Sequence, residues 1–215
     1  MPNWHDIDIY SINIDGSDLK RITSNHYYGI ANLSAHPDGN TLLARITALN
    51  SEYSIWMIPI DDPMKATPVQ PDLDAYKTKV PLFSLKSIDY SKLYDPLYSP
   101  DGTSLLFTWE GHYKSTYANI YVMDLKTKKT QRATNTERVI YHYPRFSNDG
   151  QRIVFSATAS VKNPGLFGTT REEPSLWIIN TDGSGLKHID LDSTNADRTV
   201  TLERPAQYYY SPPMR

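Results

Sequence analysis

Short apolar blocks alternate with polar breaks along the chain, and the blocks repeat. Four of them place an aromatic residue directly after an aliphatic one: residues 8–13 (Asp-Ile-Tyr-Ser-Ile-Asn), 54–59 (Ser-Ile-Trp-Met-Ile-Pro), 119–124 (Asn-Ile-Tyr-Val-Met-Asp) and 175–180 (Ser-Leu-Trp-Ile-Ile-Asn). Their length and their content of β-branched and aromatic residues predict strands buried on both faces, termed c. After three of them a tight polar turn leads to a second short run, d, at 19–23, 130–134 and 186–189. Tyr10 to Ile22, Tyr121 to Ala133 and Trp177 to Ile189 are each 12 positions apart, which predicts a hairpin of fixed length. Asp15-Gly16 and Asp182-Gly183 supply the left-handed residues that such a turn needs. The second copy breaks this pattern at Asp61-Asp62-Pro63. Pro68, unable to donate to a ladder, suits only an outermost strand there.

Each c block is preceded by a second hairpin signal. Residues 35–39 (Ala-His-Pro-Asp-Gly), 98–102 (Tyr-Ser-Pro-Asp-Gly) and 146–150 (Phe-Ser-Asn-Asp-Gly) each close one short strand, a, and open an apolar one, b, over 41–48, 103–109 and 152–157. The repeating unit is therefore a four-stranded antiparallel meander, a-b-c-d. Full units are expected over roughly 30–70, 94–134 and 142–190, flanked by a c-d pair at 7–23 and a lone strand a at 207–211. All of this falls in one all-β domain covering 1–215, a β-propeller of about three full blades with partial terminal blades.

Composition supports short strands separated by turns: 16 tyrosines, 15 prolines and 10 glycines suit such a fold better than a helical bundle. With 39% hydrophobic and 21% charged residues the chain can bury a core. A formal charge of -2 provides no field to draw in nucleic acid. No apolar run approaches the roughly 18 residues that a membrane-spanning helix needs, and the first residues lack the basic-then-apolar pattern of a secretory signal. The absence of cysteine removes disulfides, thiolate metal sites and cysteine nucleophiles.

The segments Tyr-Ser-Pro-Asp-Gly-Thr-Ser-Leu-Leu-Phe (98–107), Asn-Ile-Tyr-Val-Met-Asp (119–124) and Asn-Thr-Asp-Gly-Ser-Gly-Leu-Lys (180–187) resemble the WD40-like repeats of TolB-type propellers. The resemblance covers nearly the whole chain. It implies a propeller and, through the family, either a periplasmic interaction protein or the propeller portion of a prolyl-oligopeptidase-like serine peptidase whose catalytic part lies elsewhere. TolB-type propellers have six blades, and fewer are counted here. The ring would be completed by further blades or by a second copy of the chain.

In such a meander the a-b and c-d turns share one rim, and the b-c and d-a connections share the other. The first rim consists of tight Asp-Gly turns. The second carries the long insertions, at 70–93, 110–118, 135–141 and 160–174. Binding groups concentrate on elaborated loops held by a rigid scaffold. The binding candidates are accordingly Tyr28, Tyr94, Trp109, Glu110, His112, Tyr113, Tyr141, His142, Arg171 and Glu172, with His26, Tyr27 and Asp95 beside them. The bland alternative is that Tyr28, Tyr94 and Tyr141, near the starts of strands a, simply pack between blades.

No catalytic residue is nominated. A Gly-x-Ser-x-Gly elbow, a phosphate-binding glycine loop and His-Glu-x-x-His are all missing. The six histidines have no local metal spacing, and no cofactor or metal is expected. Asn32-Leu33-Ser34 is a glycosylation triplet common by chance. The expected role is a non-catalytic module that recognises a protein or peptide, or a glycan, through the long-loop rim.

Overall fold

The computed structural model describes residues 7–24, 27–47, 53–76, 92–110, 118–135, 139–162, 169–171 and 175–189. The expected strand at 207–211 lies outside them. A two-stranded pair, β1 (Tyr10–Ser11) and β2 (Lys20–Arg21), comes first. A four-stranded sheet follows in the order β3 (Gly29–Ala35), β4 (Thr41–Thr47), β5 (Tyr53–Pro59), β6 (Thr67–Pro68). A second runs β7 (Leu93–Tyr98), β8 (Ser104–Trp109), β9 (Asn119–Asp124), β10 (Thr130–Arg132). In the third, β11 (Val139–Phe146), β12 (Arg152–Lys162), β14 (Ser175–Asn180) and β15 (Lys187–Ile189) lie side by side, and β13 (Thr169–Arg171) pairs with the far end of β12. All of these pairings are antiparallel and, apart from β12 with β14, which spans β13, join sequence neighbours, as an a-b-c-d meander requires. Pro68 sits in the edge strand β6.

The stacking of sheets follows from the period-2 alternation of strand b. Leu105, Phe107 and Trp109, with Tyr121 and Met123 of the same sheet, face the preceding sheet, where they meet Leu43 and Ile55. Leu106 faces the other way and, with Ile120 of β9, joins Tyr141, Phe155, Trp177 and Ile179 of the third sheet. A third cluster places Ile9, next to β1, against Leu42, Ala44, Ile46 and Ile58. The first and second four-stranded sheets thus bury both faces against their neighbours, and burying one of these large side chains contributes roughly 1.5–3 kcal/mol.

Two local devices recur. Thr23 and Thr134 end their d runs, and each hydroxyl accepts the backbone N–H of the c strand's aliphatic residue, Ile9 or Ile120, at 2.9 Å. The same hydroxyls donate to Asp8 (2.8 Å) and Asn119 (3.0 Å). In the Ser-x-Trp copies, Trp56 and Trp177 donate their indole N–H to Ser54 and Ser175.

Two connections differ from the expected loops. The insertion after Ala157 continues as strand, because the alternation Ala157-Thr158-Ala159-Ser160-Val161 keeps the pleat going, and the chain returns as β13. After β6, the linker folds back over the second sheet: Val69 and Leu73 enter its core, and Tyr76 donates its hydroxyl to the Thr130 carbonyl (3.2 Å) and accepts the Arg132 N–H (3.3 Å). It thereby covers the outer edge of β10, which would otherwise expose ladder groups.

Candidate functional site

The first strands of successive sheets, β3, β7 and β11, approach one another and form the inner wall. Each breaks its register once: between Ala31 and Ser34, between Tyr94 and Leu97, and between His142 and Arg145. At each break one residue other than glycine takes a left-handed conformation: Asn32 (φ 51°), Asp95 (φ 52°) and Tyr143 (φ 51°). These are β-bulges at equivalent positions in three blades. Pro96 and Pro144 follow two of them, at points where a bulge needs no ladder donor. Asn and Asp tolerate the left-handed region, but Tyr143 is held there at a cost of about 1–2 kcal/mol.

Asp95 joins the three bulges. Its carboxylate, only 7% exposed, accepts the side-chain amide of Asn32 (3.0 Å) on one side and the backbone N–H of Tyr143 (3.4 Å) on the other. Burial pushes this carboxyl above the ordinary range, against the pull of the Tyr143 amide, of Arg145 and Arg45, and of Asn32. Arg45, itself buried, reaches forward from β4 to donate to the Leu93 carbonyl (2.9 Å), and its guanidinium lies 4.3 Å from the centre of the Tyr94 ring. Beside this cluster, Tyr143 leaves 55% of its surface in solvent. His142, one residue earlier, is depressed to about 4 by burial, so its imidazole is neutral in the folded protein at neutral pH.

The sequence candidates fall into different places. Tyr28 is 42% exposed at the entry to β3. Tyr94 is half-buried under Arg45. Glu110 is half-buried with its carboxylate 3.9 Å from Lys92 Nζ, at the position that the flanking blades fill with Thr47 and Thr158. Trp109 and Tyr141 are not at the surface: Trp109 is 3% exposed and edge-on to Tyr121, and Tyr141 is fully buried and edge-on to Phe155. Inward pleating at the ends of β8 and β11 commits both rings to the core, as the packing alternative for Tyr141 anticipates. His112, Tyr113 and Glu172 lie outside the described residues, as does His26, and of Arg171 only the backbone is described.

The opposite rim behaves differently. In the a-b turns the carboxylates of Asp101 and Asp149 accept a backbone N–H two residues on, from Thr103 and Gln151 (both 3.0 Å), and in the c-d turn Asp182 does the same for Ser184 (2.8 Å). Hydrogen bonds from the Ser99, Ser147 and Ser184 hydroxyls, with these amides, hold all three carboxyls below the usual range. Between the second and third sheets the turns border an open groove of about 740 Å³ over Val122 and Phe146, edged by Asp101, Asp124, Asp149 and Asp182. Between the first and second sheets the corresponding space is occupied by His36, whose Nε2 donates to the Gly102 carbonyl (3.0 Å) and whose ring stands edge-on to Tyr98. In sequence His36 is only one residue of the Ala-His-Pro-Asp-Gly hairpin signal, and its partner in the next blade is not legible there.

Among the described residues no group of three or more His, Cys, Asp or Glu side chains could hold a metal ion, and no helix is long and apolar enough to cross a membrane.

Comparison with family models and with curated proteins finds no match. Solved structures do match. A putative TolB from Agrobacterium tumefaciens superposes with a TM-score of 0.56 at 18% identity, covering 84% of this chain and 55% of that one. TolB from Acinetobacter baumannii gives 0.54 at 19% identity over 85% of this chain and 37% of its own. An oligogalacturonate lyase from Vibrio parahaemolyticus gives 0.51 at 13% identity over 84% and 45%. Likeness at this level is likeness of fold, and the fold is a TolB-like β-propeller. The chain spans about half or less of the length of these structures.

Proposed function

We propose that the chain is a non-catalytic binding module that takes a peptide or a segment of another protein against the inner wall and the long-loop rim. One observation carries the reading: Tyr143, on an inner strand, and Tyr28, at the entry to another, present exposed aromatic rings, Tyr143 beside the buried Asp95 and Arg45. Exposed aromatics on rigid strands give contact area at little entropic cost, and nearby charges fix orientation. The TolB-like fold supports a binding role as analogy only, and export to the periplasm belongs to the same analogy. The flank of the β1–β2 pair, where Tyr10, Ile12 and Leu19 are more than half exposed, is where a further blade or a second copy would pack in this reading.

The test is binding to arrayed peptides and oligosaccharides with the wild type, Tyr28→Ala and Tyr143→Ala. Peptide binding that weakens at least tenfold in Tyr143→Ala supports the reading, a factor that corresponds to about 1.4 kcal/mol. Binding confined to oligosaccharides, or peptide binding unaffected by both changes, overturns it.

A further inference from the structure

We infer that Asp95 is a positioning residue, a clamp that ties three successive inner strands together and presents Tyr143 at the candidate binding wall. The presentation of Tyr143 to a ligand rests on the function proposed above; the clamp itself rests on geometry alone. Three observations converge on it. The bulges of β3, β7 and β11 are equivalent, and each uses a left-handed residue other than glycine. A conformation of this kind persists only when its surroundings over-determine it. The one carboxylate among the three bulge residues bonds to both others, across sequence separations of 63 and 48 residues, so neither contact arises from local turn chemistry. The groups that face Asp95 come from every side: Asn32 on β3, Arg45 on β4, and Arg145 with the Tyr143 amide on β11. A buried acceptor so placed fixes the blades relative to one another, because moving any one of them strands a buried polar group.

The geometry also explains an otherwise costly choice. Tyr143 occupies a backbone region that disfavours a bulky side chain, and Pro144 follows it. Without the Asp95 acceptor, the Tyr143 N–H would lose the partner that this conformation directs it toward. The clamp converts that strain into a fixed direction for an aromatic ring that is 55% exposed.

A proton NMR titration of the full chain tests this. The Tyr143 amide resonance is expected to shift through the acid range with a midpoint above 3.8, the ordinary Asp value, and the Thr103 and Gln151 amides, bonded to Asp101 and Asp149, with midpoints below it. In Asp95→Asn the Tyr143 titration should vanish while those of Thr103 and Gln151 persist. In Asp95→Ala the Tyr143 amide should exchange with solvent at least tenfold faster relative to the Met123 amide in β9; if that variant does not fold, the Asp95→Asn titration decides. A Tyr143 amide that does not titrate, or that still titrates in Asp95→Asn, overturns the clamp. Binding to the peptide array is read separately, so the absence of any peptide ligand would refute the proposed function and leave the clamp standing.

Discussion

The Asp-Gly turns and the inner-strand bulges solve the same problem in opposite ways. Both force the chain through left-handed backbone, and both use an aspartate to satisfy the amides that result. In the turns the strained position is glycine, as at Gly102 (φ 72°) and Gly150 (φ 69°), and the aspartate bonds within a few residues while facing solvent. In the bulges the strained positions carry side chains, and the single aspartate is buried and serves three blades. Opposite displacements of the carboxyls follow: downward at Asp101 and Asp149, where hydrogen bonds dominate, and upward at Asp95, where burial dominates. In a turn of the first kind the aspartate bonds stay within its own blade. In a bulge of the second kind they cross between blades, which makes the inner wall a single cooperative unit.

That contrast is broken most severely by Asp95→Ala. The change leaves the Asn32 amide and the Tyr143 N–H without their acceptor and deprives Arg45 and Arg145 of their counter-charge, at an expected cost of about 3 kcal/mol in denaturant unfolding. Asp101→Ala, which opens only a solvated turn, should cost less than a third of that. Equal losses would show that Asp95 is no more than another turn residue.

Among the glycines, Gly102→Ala should be next in size. Its Cβ would lie 2.4 Å from His36 Nε2 in a left-handed backbone, so the cost combines about 1 kcal/mol of conformational strain with displacement of the His36 bridge, about 2 kcal/mol together. Gly39→Ala has the same handedness (φ 75°) but nothing within 4 Å, and should show only the strain of about 1 kcal/mol. If the two variants unfold at the same denaturant concentration, His36 does not join the blades.

These differences also decide what the sequence alone could disclose. The strands and turns were legible because their chemistry is local: Ser99, Asp101, Gly102 and Thr103 complete a turn within five residues, and the period-2 pattern of residues 104–109 assigns each side chain to a face. The bulges were not legible, since Asn32 reads as part of a chance Asn-x-Ser triplet and Tyr143 as one more strand aromatic. Only the folded chain brings them to Asp95. His36 was overlooked for a related reason, because its partner Gly102 belongs to the next blade. The rim candidates divide in the same way. Exposed Tyr28 and buried Tyr141 look alike in sequence, and only the pleat of β11 against β12 separates them.

The smallest expected effect is a dependence on pH, and it distinguishes the inner wall from the turns near neutrality. His142 is neutral in the fold because burial depresses its pKa from 6.5 to about 4. Between these values the unfolded chain binds a proton that the folded chain does not, so the contribution is fully present above 6.5 and is lost as pH falls toward 4. Between pH 7 and pH 6 the loss from this residue alone is roughly 0.7 kcal/mol. Asp95 acts in the opposite sense, since a raised carboxyl pKa favours the fold as pH falls, and the comparison of wild type with His142→Asn cancels it. The measurement is the denaturant midpoint at pH 7 and at pH 6 for the wild type and His142→Asn. The variant should lose this part of the pH dependence, and Asp101→Ala should retain it, because the turn carboxyls titrate below 3.8 and are ionised throughout the interval. A pH dependence unchanged in His142→Asn would mean that the imidazole beside the Tyr143 bulge is solvated rather than held neutral by the wall.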